Sequence, residues 1–504
     1  MLRPVPPPDR RSRPLGRRLL LALLGLVVGF ALAGLYAWRA LAPPPPLAMP
    51  AQGAVLGAVT VVNPGQGRAA RRSVVVEGGR IAAIRDPQGS DPGRWADRTV
   101  LPGLIDMHVH FPPPTGLGQT ELFALLFLAH GVTTVRDAGD VDGTATAPAR
   151  DGPREGRFPG PRVYACGPFL DGPEPLWKNS IVARDFAQGV AAVERIADAG
   201  LDCVKAYDQL PPEALAGVKE QAAKRGLPVI GHVPRRTTYF EAALDDVQHL
   251  TGFARRDDDL RPFPQVLDTW PAFDRAAMAQ AARRTAAAGI ANTPTMVVVD
   301  RLVAAREIAR AGSEPDVQML PRLYRDALWT REGNRLLGSA RPEDFDLLEQ
   351  VLARELELVR ALHAAGAELH VGTDVLNPFV VPGAAMRREL ELFVEAGLTP
   401  EDALAAATTV PGKFLGREQE PLLGTVAEGA PADLLVFRRD PTADLANLDT
   451  IEAVIADGRL YTREMLEEQR ARYDEYARGW LFDRVSVEAT RRLLARLAGD
   501  GALH

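Results

Sequence analysis

Between residues 101 and 420 the sequence alternates short apolar runs with longer stretches rich in Ala, Leu, Glu and Arg, and no other feature restricts the fold as much. Repeats of this kind are βα units, whose helical crossovers force the strands parallel. The first strand falls in Leu101–His110. Others are predicted at 134–137, 162–166, 203–207, 229–232, 246–249, 291–295 and 369–374. Eight such strands predict a (β/α)8 TIM barrel, with its working residues at the C-terminal strand ends. The piece from 300 to 349 exceeds a simple crossover and is expected to add helices over the mouth.

Both flanks read as β structure. One runs from Val55 to Ile84 around a turn at Glu77-Gly78-Gly79-Arg80; the other covers Asp433–Phe437 and Ile451–Ile455 before a turn at Asp457-Gly458. The expected architecture is therefore a barrel (101–420) inserted into a small β-sandwich made by both chain ends (53–100 and 421–461), followed by a helical tail (462–504). The tail's role is not legible. Cys166 and Cys203 are expected to be two buried free thiols, because a core this large needs no staple.

The N-terminus is different in kind. Leu19 to Trp38 is an unbroken apolar run, long enough to cross a bilayer as a helix. Arg3, Arg10, Arg11, Arg13, Arg17 and Arg18 precede it, so the charge bias keeps residues 1–18 in the cytoplasm. A single-pass transmembrane helix is expected, carrying the rest of the chain outside the cytoplasmic membrane on a Pro-rich linker (39–52); in a Gram-negative cell that is the periplasm. A cleaved signal peptide competes with this reading. The run is longer than a usual signal core, however, and Pro43 blocks the small-x-small site at Ala40–Ala42. Gly25 and Gly29 make a GxxxG pair that leaves a homo-oligomer open. A net charge of −6, with no basic stripe beyond the N-terminus, excludes a nucleic-acid partner.

The chain has 8 histidines, and four of them stand at predicted strand ends. His108 and His110 lie two residues apart, so a strand turns both imidazoles to one face. His232 ends the fifth strand and His249 the sixth; Asp374 ends the eighth. Four imidazoles and a carboxylate at one rim suit zinc or a similar divalent ion. Lys205 ends the fourth strand, where a desolvated ammonium beside cations is disfavoured. A neutral amine there would capture CO2 as a carbamate able to bridge two cations. The remaining histidines have simpler readings. His130 follows a helix, His363 lies within one, His504 is in the tail, and His370 sits deeper than Asp374 in barrel core.

With these residues in place, the sequence resembles the amidohydrolase superfamily, in its imidazolonepropionase-like branch with binuclear metal sites and Xaa-Pro dipeptidase-like relatives. The resemblance runs from Val55 to Glu464, through Pro102-Gly-Leu-Ile-Asp-Met-His-Val-His110, Gly131-Val-Thr-Thr-Val-Arg-Asp137, Val204-Lys-Ala-Tyr207, Gly231-His-Val-Pro234, Gly372-Thr-Asp374 and Ala432-Asp-Leu-Leu-Val436. It implies two divalent metal ions, zinc by expectation, with His108 and His110 on one, His232 and His249 on the other, and carboxylated Lys205 between them. Asp374 would be ligand and proton shuttle. Gln248 departs from the pattern, since relatives often carry Glu there.

The expected activity is hydrolysis of an amide or peptide-like C–N bond by a metal-bridging hydroxide, on a small peptide or N-acyl amino acid. Tyr207 is the candidate partner of the substrate carbonyl. Arg235 and Asn377 are candidate substrate contacts. Two readings compete: a mononuclear deaminase, disfavoured by Lys205 and by the lack of Glu beside His232, and a metal-free membrane-tethered binding protein, disfavoured because all six ligand positions are filled.

Overall fold

The computed structural model describes residues 15–91, 93–113, 117–255, 261 and 265–499. Arg3, Arg10, Arg11 and Arg13 of the basic segment, and His504, lie outside the described residues. The first element is a 27-residue helix, Leu15–Leu41. Within it Leu19–Leu41 has a mean hydropathy of 2.5 and none of its apolar window is buried, so it is long and apolar enough to cross a membrane.

Strands β1 (Ala54–Asn63), β2 (Gly67–Glu77), β3 (Arg80–Arg85) and β4 (Thr99–Pro102) begin a sheet that the C-terminal end of the chain completes. The β2–β3 turn at Gly78 and Gly79 takes positive φ at both residues, as a tight hairpin requires. β5 (Leu104–Val109) pairs in parallel with β6 (Val132–Asp137), and β6 with β7 (Arg162–Ala165). The short β8 (Leu170–Asp171) and β9 (Ile181–Val182) then join a second parallel sheet with β10 (Val204–Ala206), β11 (Val229–Gly231), β12 (Asp246–Gln248) and β13 (Ala291–Thr293). Finally β14 (Leu434–Phe437), β15 (Ile451–Ala456) and β16 (Arg459–Thr462) return to the first sheet.

That first sheet has seven strands in the order β16-β15-β14-β4-β1-β2-β3, so β4 and β14 join the two ends of the chain. The expected two-layer sandwich is in fact this single mixed sheet folded on itself. Its two hairpin tips touch, a Cβ on Gly458 falling 2.6 Å from Gly79 Cα, and flanking segments join them, with Gly53 N–H donating to Gly458 O at 2.9 Å and Ile81 N–H to Ala430 O at 2.9 Å. Period-two side chains from both ends, among them Leu56, Val74, Ile81, Val100, Leu434 and Ile455, fill the space enclosed.

The predicted eighth strand is not a ladder strand. Residues 369–374 make one isolated bridge, Asn292 with Leu369. Their backbone still ties both parallel sheets together: His370 N–H donates to Asn292 O at 2.9 Å, and Met107 N–H to Val371 O at 2.9 Å. Two features distort the segment. A Cβ on Gly372 would stand 2.5 Å from Thr293 Cγ2 and 3.0 Å from His108 Cβ, so the chain is pressed against its neighbours. Asp374 then turns left-handed, at φ 56°. The result is TIM-barrel-like, with β7 and β10 meeting at the remaining seam.

A second correction falls at that seam. Cys166 and Cys203 are not free thiols but a disulfide, with Cα atoms 4.4 Å apart. Strand-end residues on adjoining strands face each other at this spacing. Asp202 N–H also donates to Ala165 O across the seam, at 2.8 Å. Inside, the fully buried Arg136 ties the floor of the barrel through Asp246 and Met107 O, and His370 joins that network at 3.4 Å from Asp246.

The piece from 300 to 349 does add short helices, and its Trp329 packs against Phe379 just past Asp374, with ring centroids 5.3 Å apart. The tail forms two helices, Arg463–Ala477 and Trp480–Gly499. The first holds the chain as it leaves the N-terminal helix: Tyr476 Oη donates to Leu41 O at 2.9 Å, and Gln469 Nε2 to Pro45 O at 2.9 Å.

Candidate metal centre

β5 delivers the first pair of side chains. His108 and His110 share one face, and their Nε2 atoms are 3.3 Å apart. Asp374, brought in by the distorted segment, places Oδ1 3.3 Å from His108 Nε2 and 3.2 Å from His110 Nε2. These three form a group whose ligand atoms all lie within 4.8 Å of one another. His249, at the end of β12, brings Nε2 to 3.8 Å from Asp374 Oδ2, with its ring centroid 4.6 Å from that of His108. His232, after β11, stands edge-on to His249 at 4.9 Å between centroids.

Three of the four imidazoles have their orientation fixed from behind. His110 Nδ1 lies 2.7 Å from Gly139 O, His232 Nδ1 2.8 Å from Asp208 Oδ1, and His249 Nδ1 2.6 Å from Thr295 Oγ1. Gly139 O and the Asp208 carboxylate can only accept, so they hold the proton on Nδ1 of His110 and His232 and leave Nε2 for the site, and the Thr295 hydroxyl can accept from His249 Nδ1 in the same way. His249, Thr295 and Asp374 all have left-handed backbone, at φ 57°, 53° and 56°. Such conformations are costly for residues with a Cβ and gather where surrounding structure dictates side-chain direction.

The electrostatics suit cation binding. Burial holds the His108 and His249 imidazoles well below their ordinary range, keeping them neutral. Burial also lowers His232, against the pull of Asp208. At His110 burial is outweighed by Asp374, and the net shift is upward. Burial would raise Asp374, but His249, His110 and Lys205 hold it down, at about 2. Lys205 is 1% exposed, and burial brings its ammonium down to about 7, with Asp374 opposing and Arg136 adding to the shift.

Two buried polar atoms at the site have no hydrogen-bond partner, His108 Nδ1 and Gln248 Nε2. Gln248 uses its other amide atom, Oε1, to accept from Lys205 Nζ. A carboxylated Lys205 would offer oxygen acceptors to that unused N–H. The donor set of four imidazoles, three of them kept neutral by burial, one carboxylate and a lysine of lowered pKa therefore fits divalent cations.

All six predicted ligand positions thus gather at one end of the parallel strands. The predicted substrate contacts divide. Tyr207 stacks on His232, centroids 4.4 Å apart, and borders the site directly. Arg235 sits behind His232, 3.4 Å from Asp208 Oδ2. Asn377 Nδ2 donates to Asp374 O at 3.0 Å, bracing the turn that carries the carboxylate.

Sequence reasoning missed Asp208, Thr295 and an aromatic wall. In that wall Phe169 meets Tyr207 at 5.0 Å and stacks on Trp177 at 5.7 Å. Asp208 directly follows a predicted strand and Thr295 ends one, which was the available signal. Phe169 and Trp177 lie on a loop that carries no such mark.

A barrel-like parallel core with a histidine and carboxylate rim defines a scaffold able to hold metal, and comparison with known proteins gives its family. The sequence model of the amidohydrolase family matches residues 99–461, and the chain belongs to that family, whose members typically use metal ions. Imidazolonepropionase from Chromobacterium violaceum is 43% identical over 89 residues, 18% of this chain and 21% of that protein. Ochratoxinase from Aspergillus niger is 30% identical over 113 residues, 22% of each. The chain thus spans about a fifth of the curated relatives it matches. Among solved structures, bottromycin amidohydrolase superposes with a TM-score of 0.69 at 26% identity, covering 88% of this chain and 95% of its own. A Xaa-Pro dipeptidase does so at 0.57 and 21% identity, covering 81% and 100%, a likeness of fold.

Proposed function

We propose that this protein is a binuclear metal amidohydrolase that cleaves an amide or peptide-like C–N bond in a small peptide or N-acyl amino acid, anchored outside the cytoplasmic membrane by its N-terminal helix. The convergence of His108, His110, His249 and Asp374 within a few ångströms carries this reading. His108 and His110 would hold one divalent ion and His232 and His249 the other, with carboxylated Lys205 between them; zinc is the expected metal. Bound there, the ions activate water as a nucleophile and polarise the scissile carbonyl.

The chain's own residues do the rest. Asp374 is held ionised by its neighbours and takes the proton of the attacking water at a carboxylate oxygen, then delivers it to the leaving nitrogen. Tyr207, protonated because burial raises its phenol, donates to the substrate carbonyl oxygen. Phe169 and Trp177 wall the same side and exclude water.

A small cleft opens beside His249 and Asp208, with Arg235, Arg255 and Trp270 in its walls. Arg235 Nε is buried there with no partner. A substrate carboxylate would meet that guanidinium, and its apolar portion would lie on Trp270. The Cys166–Cys203 disulfide supports an oxidising compartment, in keeping with the extracytoplasmic placement.

The decisive test measures metal per chain in the full-length protein, with and without bicarbonate, beside a Lys205→Ala variant, and then screens dipeptides and N-acyl amino acids. Two ions falling to one or none in the variant, with hydrolysis of a carboxylate-bearing substrate, is the expected result. A single ion indifferent to Lys205→Ala would overturn the binuclear reading in favour of a deaminase-type centre.

A further inference from the structure

Glu389 is a carboxylate that the proposed chemistry does not use. It lies on the helix Ala384–Glu395 and is fully buried. A second glutamate, Glu355 on the helix Pro342–Ala364, is 4% exposed, and its carboxyl is pushed up by burial and by the charge of Glu389. Two acidic side chains in an apolar layer are costly unless something requires them.

What Glu389 does is specific. Its Oε1 accepts from Met296 N–H at 3.0 Å and its Oε2 from Val297 N–H at 2.6 Å. Met296 and Val297 open the helix Met296–Ala304, so Glu389 caps that helix from another element. The residue in the capping position is Thr295, and threonine ordinarily turns its hydroxyl onto the amides of the first turn. Here it makes no such bond. It is instead left-handed, at φ 53°, with Oγ1 2.6 Å from His249 Nδ1.

We propose that Glu389 is a positioning residue for the metal centre. By capping the helix in place of Thr295, it frees the Thr295 hydroxyl to accept from His249 Nδ1 and so aims His249 Nε2 at the site. The inference rests on His249 being a metal ligand, as proposed above. Left-handed Thr295 is not in the extended backbone from which a capping hydroxyl reaches its own helix, so Glu389 serves those amides while the hydroxyl stays on His249.

The test titrates the metal-stripped full chain with Zn2+ in wild type, Glu389→Leu, Thr295→Val, the double variant, Thr295→Ser and His249→Ala, with thermal melting on each. In the expected result, Glu389→Leu and Thr295→Val each weaken one of the bound ions by roughly 10- to 100-fold, the range for loss of a partner behind a ligating histidine. The double variant is no weaker than either single one, because both act through the same hydroxyl. Thr295→Ser, which keeps the hydroxyl, binds as wild type does. Should Glu389→Leu not fold, Glu389→Gln replaces it. It keeps one acceptor oxygen and gives a smaller loss that vanishes in the Thr295→Val background. Additive losses, or a lower melting temperature with Zn2+ affinity unchanged, would overturn the positioning role while His249→Ala still loses an ion. Unchanged binding in His249→Ala would overturn the ligand assignment itself.

Discussion

The two histidine pairs reach the same site by different routes. His108 and His110 are set by one strand, whose two-residue period alone puts their Nε2 atoms 3.3 Å apart. His232 and His249 come from β11 and β12, and their rings are 4.9 Å apart and edge-on. Each of that second pair hydrogen-bonds a side-chain partner, Asp208 or Thr295, whereas His110 hydrogen-bonds a backbone carbonyl, Gly139 O, with the Asp137 carboxylate 4.0 Å from the same nitrogen. A local pair is fixed by backbone geometry. A distant pair is only as well placed as the side chains behind it.

The largest effect expected is on the local pair. His110→Ala should remove a ligand that no other residue can replace, lowering turnover by roughly 1000-fold or more, about 4 kcal/mol of transition-state stabilisation. Steady-state kinetics with metal analysis checks this. A loss no larger than that of an outer partner would end the distinction drawn here.

The distant pair should respond through its partners. Asp208→Asn leaves His232 in place but weakens its acceptor, and metal affinity should fall by roughly 10- to 100-fold. Competition with a chelator reads that affinity directly.

Reduction of the Cys166–Cys203 disulfide, or its replacement by two serines, removes a link closing a 37-residue separation and should cost about 2–4 kcal/mol of stability. Chemical denaturation with and without reductant measures it. The seam lies next to β10, so Lys205 and its side of the site should suffer before His108 and His110 do.

The smallest effect is on pH. His108 and His249 titrate below their ordinary value in the folded chain, chiefly through burial. A group lowered by folding contributes stability that is present above its unfolded pKa and is lost as pH falls. The metal-stripped protein should therefore lose stability as pH drops below about 6.5, the unfolded histidine value. Melting temperatures from pH 8 to 5 test this, and His249→Ala should flatten the slope.

Much of this was legible beforehand because it follows from short-range rules. The parallel strands, the β flanks and the ligand positions at strand ends all derive from periodicity and order along the chain. The errors fell where distant segments meet. Residues 369–374 looked like a strand, yet packing at Gly372 against Thr293 and His108 and the turn at Asp374 reduce the pairing to one bridge. The cysteines read as free thiols because a core this large needs no staple, and only the tertiary structure brings their Cα atoms to 4.4 Å. Asp208 and Thr295 carried no weight in the sequence, since an acid or a hydroxyl at a loop start has many ordinary uses.

The sequence by itself determined the alternation of strand and helix, the apolar N-terminal helix, and the six residues proposed here as metal ligands, of which His108, His110 and Asp374 group closely enough to hold one ion. Their chemistry is intrinsic, and their placement follows from where strands end. Only the tertiary structure decided how the two ends of the chain share one sheet, which cysteine pairing closes the seam, and which side chains aim the distant imidazoles. Those contacts join residues far apart in the chain, and their energies exist only once the backbone has brought them together.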